Sequence, residues 1–220
     1  MTQLEIELQL LKTEVLNMWN LVRSQLVKAK TSLVEFDKDL AREVVLKERR
    51  VNGAELKIDR DCENIFALLT PVAVDLRFVL AVLKINSNLE RIGDIAEGIA
   101  KHIILAEHPF KAELLETSGL IEMYDEGIRM LEDTLVAFEN EDGILARSVF
   151  KKDEVLDEIN ESANKVIVDY LKNRPDDVDQ ALYIHSIIRK LERVGDQSKN
   201  IAEEIIFYVE AKVLKHKHTH

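Results

Sequence analysis

Residues that form turns are scarce in this sequence of 220 residues, which contains 7 glycines and 3 prolines. A β-sandwich, a β-barrel or a doubly wound α/β sheet needs a turn every several residues, and this composition cannot supply them. Long helices remain, and the apolar residues between positions 89 and 103 recur at the three- and four-residue steps of an α-helix. The sequence therefore predicts an all-α protein.

The sequence also has no excess of basic residues, only one cysteine and no long apolar run. The formal net charge of −11 argues against binding to nucleic acid or to an anionic membrane surface, since phosphate contacts require clustered Lys and Arg. The single cysteine excludes an intramolecular disulfide framework and a cysteine-based zinc site. The longest apolar stretch, residues 65–74, is interrupted by Thr70 and Pro71 and is too short to span a bilayer. We expect a cytosolic protein that neither binds nucleic acid nor inserts into a membrane.

A few breaks divide the chain into six predicted helices. Prolines at positions 71, 109 and 175 mark helix boundaries, because proline lacks an N–H group and clashes with the preceding turn. An aspartate within residues 37–39, and another within residues 140–143, can cap the helix that follows. A bundle of long antiparallel helices accommodates such lengths. The predicted helices are residues 3–36, 38–69, 71–106, 113–138, 142–172 and 176–214.

The two halves of the chain repeat each other. The sequence ERIGD at residues 90–94 is matched by ERVGD at residues 192–196, an offset of 102. The segment that begins at Ala41 recurs at Ala146, an offset of 105. The register therefore changes only at turns, which is typical of a duplicated fold.

The repeat predicts two antiparallel three-helix bundles in tandem. The first unit is expected over residues 1–108 and the second over residues 109–215, followed by a flexible His-rich tail at residues 216–220. The alternative is one mixed six-helix bundle in which the similarity of the halves is coincidental.

Two pairs of carboxylates lie in the repeated motif. Glu90 and Asp94 are four residues apart, so on a helix their side chains are neighbours on one face. With about 100° per residue, this face points away from the apolar stripe that contains Ile92. Glu192 and Asp196 repeat the arrangement. An ordinary solvated helix face would explain either pair alone.

Repetition, neighbouring glycines and a further acidic pair favour a metal site. Glycine inside a helix costs roughly 1 kcal/mol relative to alanine, so Gly93 and Gly195 indicate the close approach of a backbone or a partner. Asp153 and Asp157 lie on the predicted fifth helix, which the repeat places beside the last helix. Four carboxylates from two helices require a cation or protons, and their oxygens suit hard ions. We expect Mg, Mn or Fe, with Zn as an alternative.

The first half of the chain contains a related set of acidic residues that lacks one carboxylate. The offset of 105 places Glu48 and Asn52 where the second half has Asp153 and Asp157. Together with the first ERxGD motif, these two residues would form the first site. Because Asn52 stands in place of a carboxylate, we expect this site to bind metal more weakly or to bind a different number of ions.

Two longer segments resemble the signatures of the PhoU family, the accessory proteins of bacterial phosphate-specific transport. One signature is carried by PVAVDLR at residues 71–77 and NLERIGDIA at residues 88–96. The other is carried by LERVGD at residues 191–196, followed by NIAEE at residues 200–204. The resemblance covers essentially the whole chain in order.

The resemblance implies tandem three-helix bundles that bind multinuclear metal clusters on their surface through E(D)xxxD pairs. The chain departs from the family at Asn52, where Asp is usual, and at Gly98, where the second motif has Asn200. By position, the implied metal ligands are Glu48, Glu90, Asp94, Asp153, Asp157, Glu192 and Asp196.

The resemblance also implies a function without catalysis. PhoU-like proteins dampen phosphate-starvation signalling by acting between the ATPase subunit of the phosphate transporter and a membrane sensor kinase. We therefore expect a cytoplasmic regulator that reaches the inner membrane only through these partners, and we expect a homodimer. We also expect phosphate status to be read through the conformation of the transporter, since carboxylate clusters repel phosphate unless metal reverses the local charge.

Two other functions stay open at this point. A metal-dependent hydrolase or oxidase would use the carboxylate sites, but the sequence lacks the ExxH motifs of ferritin-like di-iron oxidases and has no P-loop or nucleophile elbow. A metal-free adaptor is the other alternative.

Overall fold

The computed structural model describes residues 1–214, and the predicted His-rich tail at residues 216–220 lies outside these described residues. Six long helices and one short helix account for most of the described chain, together with a single 3-10 turn at Pro175–Asp177. The all-α prediction is confirmed. The helices are α1 (Gln3–Glu35), α2 (Lys38–Leu69), α3 (Ala73–Leu105), α4 (Ala112–Thr117), α5 (Leu120–Asn140), α6 (Gly143–Asn173) and α7 (Val178–Glu210).

Side-chain caps fix the starts of three long helices. Thr2 and Glu5 form a reciprocal capping box at the start of α1. Asp37 Oδ1 accepts hydrogen bonds from the N–H groups of the second and third residues of α2, both at 2.9 Å. Asp142 Oδ1 does the same at α6, at 2.8 and 2.9 Å. The predicted aspartate caps are therefore confirmed, and they satisfy N–H groups that have no partner within the helix.

The predicted helix over residues 113–138 is wrong as a continuous element. It is divided into α4 and α5, because Gly119 adopts a left-handed conformation with φ of 69°. The Ser118 hydroxyl donates to the Leu115 carbonyl at 3.2 Å, so a polar side chain closes the end of α4. Glycine takes this conformation without the steric cost that a Cβ atom imposes.

The helices form two three-helix units. In the first unit α1 packs on α2 and α3, and in the second α5 packs on α6 and α7. The two units meet mainly along α3 and α7, and also where α1 contacts α5. Trp19 of α1 crosses this boundary, since its indole N–H donates to the Leu131 carbonyl of α5 at 3.2 Å and its ring lies 5.4 Å from that of Phe138. The apolar side chains consequently form one continuous core.

Two glycines allow neighbouring helices to approach closely, as the sequence predicted. A Cβ atom on Gly195 of α7 would lie 2.5 Å from Asp153 Oδ1 and 2.7 Å from Leu156 Cδ2 of α6. A Cβ atom on Gly93 of α3 would lie 3.1 Å from Glu48 Oε2 and 3.1 Å from Val51 Cγ1 of α2. In each repeat, therefore, a carboxylate lies against the backbone of the helix that carries the ERxGD motif.

A pair of glycine substitutions tests this close packing. Gly195→Ala should lower the free energy of unfolding by about 1–3 kcal/mol, because the added methyl group clashes with Asp153 and Leu156. Gly53→Ala, in the interior of α2 with open space around it, should raise it by about 0.5–1 kcal/mol through better helix propensity alone. Urea unfolding followed by circular dichroism measures both. Equal stabilisation by the two variants would contradict the close contact at Gly195.

Candidate functional site

The structure brings together the four carboxylates predicted for the second repeat. Asp153 is buried on α6, and Asp157 lies exposed one turn farther along the same helix. Glu192 and Asp196 lie on the adjacent face of α7. Burial raises the pKa of Glu192, and the charges of Asp196 and Asp157 raise it further. These carboxylates therefore repel one another across the α6–α7 contact.

Lys199, which the sequence did not single out, pairs with two of these carboxylates. Lys199 Nζ forms an ion pair with Asp153 Oδ2 and lies 2.9 Å from Asp196 Oδ1. Burial lowers the pKa of Lys199, but the hydrogen bonds to the two aspartates outweigh burial and leave the pKa above its ordinary value. Asp153 Oδ1 remains buried without a hydrogen-bond partner among residues 1–214. The second cluster thus contains four carboxylates and one ammonium group.

Glu48 is the buried carboxylate of the first repeat. Its side chain lies between α2 and the backbone of α3 at Gly93, and the residue is 4% exposed. Gln25 Nε2 of α1 donates to Glu48 Oε2 at 3.2 Å, whereas Oε1 has no hydrogen-bond partner in the described part of the chain. Burial raises the pKa of Glu48 to about 7, and the charges of Asp94, Glu97 and Glu90 add to this effect.

The remaining first-repeat carboxylates lie beside Glu48. Burial raises the pKa of Glu90, and the charges of Asp94 and Glu55 contribute in the same direction. Burial also raises the pKa of Glu55, with contributions from Asp59 and Asp94. Glu55 was not predicted, although its position two turns after Glu48 on α2 could have indicated it. The charge of Glu55, one turn after Asn52 on α2, therefore acts on Glu90 of this group.

The second cluster contains a lysine that pairs with its carboxylates, and the first does not. Within residues 1–214, none of Glu48, Glu55, Glu90 and Asp94 takes part in an ion pair. Glu192 is equivalent to Glu90 by the offset of 102. By the same offset, Lys199 is equivalent to an acidic residue, Glu97. The repeat thus places opposite charges at equivalent positions of α3 and α7.

The chemical type of the donor atoms suits a hard cation, whereas the described side chains are too far apart to coordinate one. Carboxylate oxygens are the ligands that Mg, Mn and Fe ions favour, and each cluster has one buried oxygen without a partner. In residues 1–214, however, no three His, Cys, Asp or Glu side chains converge closely enough to hold an ion. Asp94 and Asp157 are exposed, so their side chains have room to change rotamer.

Within residues 1–214, no helix combines the length and the apolar character that crossing a bilayer requires.

The raised pKa of Glu48 predicts that the stability of the metal-free protein depends on pH. The pKa of Glu48 is about 7 in the folded chain against an ordinary value of 4.5, so the folded state binds more protons between these pH values. Stability should therefore fall as pH rises from 4.5 to above 7, by up to about 3 kcal/mol. Glu48→Gln keeps a neutral, isosteric side chain and should remove this loss.

Urea unfolding at pH 5 and pH 8 in the presence of a chelator measures the effect. Glu48→Gln should exceed wild type in stability at pH 8 and approach it at pH 5. Glu63→Gln, an exposed change on the same helix, removes the same formal charge and is the control. An unchanged difference between Glu48→Gln and wild type at the two pH values would contradict the burial of an ionisable carboxyl group.

Comparison with known proteins gives consistent matches over nearly the full chain. A family model described as the PhoU domain matches residues 15–103 and again residues 120–205. The phosphate-specific transport system accessory protein PhoU of Edwardsiella tarda is 34% identical over 217 residues, which cover 97% of this chain and 87% of that protein. The protein of the same name from Escherichia coli K12 is 32% identical and covers 97% and 88% of the two chains.

Solved structures give the same result. The crystal structure of PhoU from Pseudomonas aeruginosa superimposes with a TM-score of 0.89 at 32% identity, covering 96% of this chain and 100% of that chain. The phosphate transport system regulatory protein PhoU from Streptococcus pneumoniae gives a TM-score of 0.86 at 30% identity, covering 96% and 99%. The names of these relatives describe accessory and regulatory proteins rather than enzymes. With two matched domains, and with fold and sequence similar from end to end, the chain belongs to the PhoU family.

Proposed function

We propose that this chain is a non-enzymatic, negative regulator of phosphate uptake and phosphate-starvation signalling. The observation that carries the proposal is its similarity, over 97% of its length, to proteins named as accessories of phosphate-specific transport. In this role the chain links the ATPase subunit of the phosphate transporter to a membrane sensor kinase. It works in the cytoplasm and reaches the inner membrane through these two partners.

The carboxylate clusters are proposed to bind divalent or trivalent metal ions, with Fe, Mn, Mg or Zn as candidates. A bound ion would supply positive charge and oxygen coordination, without taking part in a reaction. Support comes from the grouping of acidic side chains on two pairs of helices and from the buried oxygens of Glu48 and Asp153 that lack partners. The proposed ligands are Glu48, Asn52, Glu90 and Asp94 in the first repeat and Asp153, Asp157, Glu192 and Asp196 in the second.

An ion at such a site would act on the shape and charge of the surface. Carboxylates on adjacent helices repel one another, and a cation between them offsets this repulsion and fixes the helices in one relative position. The surface that the partners contact would then be less negative and more rigid. Phosphate status would reach this protein through the conformation of the transporter and not through a phosphate site of its own.

A homodimer belongs to the same proposal. Large apolar side chains are exposed around the turn between α2 and α3, where Leu68 is 75% and Val72 is 66% exposed. Exposed apolar side chains that lie close together are typical of surfaces that contact another protein. A second copy of the chain is the contact that we propose for this region.

Affinity purification from phosphate-replete cells tests the proposed function. Wild-type protein should recover the transporter ATPase and the sensor kinase, together with bound metal measured by mass spectrometry. The double variant Asp94→Asn, Asp196→Asn should lose most of the metal, because each cluster loses a ligand. It should also recover about tenfold less of the partners.

Asp169→Asn is the matched control, since Asp169 is an exposed carboxylate on α6 about four turns away from Asp153. This control should keep both the metal and the partners. Recovery of neither the ATPase nor the kinase with wild-type protein would overturn the adaptor role. Normal partner recovery without metal would overturn only the role of the ions.

A further inference from the structure

We propose that the groove along the contact between α3 and α7, where the two repeats meet, binds an acidic segment of a partner protein. This inter-repeat groove is formed by residues 84–102 of α3 and residues 186–204 of α7. The proposal rests on the adaptor role proposed above, because it names the chemistry by which a partner is recognised. It does not depend on whether the carboxylate clusters bind metal.

Contacts at the two ends of the inter-repeat groove show that α3 and α7 run antiparallel across it. At one end, Lys84 Nζ pairs with Glu204 Oε2 at 2.9 Å. Toward the other end, Lys190 lies over Gly98, since a Cβ atom on this glycine would be 2.9 Å from the lysine Nζ atom. Residue numbers therefore fall along α7 as they rise along α3. The two ERxGD motifs consequently face each other at the middle of the groove.

The arginines of the two motifs, Arg91 and Arg193, belong to this groove. Arg91 lines a cavity together with Asn88 of α3 and Asn200 of α7. Arg193 holds the equivalent position of the second repeat by the offset of 102, and it follows Lys190 by about one turn on the same face of α7. Both arginines are exposed, so a partner can reach their guanidinium groups.

The positive charge of this groove is not neutralised by the described part of the chain. Within residues 1–214, Arg91, Lys190 and Arg193 take part in no ion pair. The acidic residues of the two ERxGD motifs act instead toward α2 and α6, where they raise the pKa values of the buried Glu48 and Asp153. A chain with a formal net charge of −11 therefore has one groove whose unpaired charges are positive.

The length and the donors of the groove fit an extended acidic peptide better than a small anion. The level of Arg91 and that of Gly98, where Lys190 lies, are separated on α3 by about 10 Å. An extended chain advances about 3.3 Å per residue, so a peptide with carboxylates on alternate residues reaches all three cations. Backbone N–H groups in the middle of helices are bonded within the helix, so only side chains can donate here, and they form no backbone cradle for phosphate.

Other anionic macromolecules fit this groove less well. Nucleic acid and anionic membranes carry dense negative charge, which requires many clustered Lys and Arg side chains. Three unpaired cations in a chain with a net charge of −11 do not meet this requirement. Charge complementarity over a short length therefore favours a few carboxylates on a protein segment.

Fluorescence anisotropy with a labelled peptide of about ten residues, in which Glu alternates with Ala, tests the groove. Wild-type protein should bind this peptide at least about tenfold more tightly than a peptide with Gln in place of Glu. The double variant Arg91→Gln, Arg193→Gln should weaken binding of the acidic peptide by about 10- to 100-fold, because charge-assisted hydrogen bonds are lost. The double variant Arg50→Gln, Arg60→Gln, at exposed positions of α2, removes the same charge and should bind as wild type does.

Affinity purification from phosphate-replete cells connects the groove with the adaptor role. Arg91→Gln, Arg193→Gln should recover about tenfold less of the transporter ATPase or of the sensor kinase than wild type does. Its metal content should equal that of wild type, since the carboxylates are unchanged. Arg50→Gln, Arg60→Gln should recover both partners.

The contrary results are distinguishable. Failure of wild type to bind the acidic peptide, or equal binding by Arg91→Gln, Arg193→Gln, would overturn the inference, and the adaptor role would stand if the ATPase and the kinase are still recovered. Displacement of the peptide by inorganic phosphate or by single-stranded DNA at constant ionic strength would overturn the choice of a protein segment. Conversion of a dimer to a monomer by the double variant in sedimentation would do the same, because the occupant would then be a second copy of the chain. Recovery of neither partner by wild type would overturn the adaptor role and leave peptide binding intact.

Discussion

Each repeat buries one carboxylate where two helices meet over a glycine, and the surface chemistry of the molecule depends on this constraint. Glu48 lies against Gly93, and Asp153 lies against Gly195. A buried carboxylate is unfavourable unless a proton, a hydrogen bond or a cation compensates for its lost hydration. The glycines allow the helices to approach so closely that both carboxylates are 4% exposed.

The two repeats meet this constraint in different ways. In the first, Gln25 donates one hydrogen bond to Glu48, and burial favours the protonated carboxyl group, which raises its pKa to about 7. In the second, Lys199 pairs with Asp153. The offset of 102 also aligns Leu33 of α1 with Leu135 of α5, and it places Gly127 at the position equivalent to Gln25, so no side chain at that position can donate to Asp153. Duplication preserved the fold, and the charge compensation differs between the copies.

The architecture explains how such clusters coexist with a stable fold. The two units share a continuous apolar core along α3 and α7, and Trp19 links α1 to α5 within it. Asp94 and Asp157 are exposed, whereas Glu48 and Asp153 are buried at the contacts between adjacent helices. Repulsion among them therefore acts on the outer contacts of α2 with α3 and of α6 with α7, where a cation or a partner protein would change it.

Much of the fold is determined by the sequence, because it depends on local and periodic features. Scarce turn residues, apolar spacing and aspartate caps define the long helices, and the repeated ERxGD motif pairs the helices and identifies both acidic faces. The break at Gly119 was not predicted, because a single glycine within an apolar helical pattern can either lie inside one continuous helix or end it. The roles of Glu55 and Lys199 were decided only by the tertiary structure. Their contacts depend on how far apart adjacent helices lie and on which rotamers fill the space between them, and neither quantity is encoded in the spacing of residues along one chain segment.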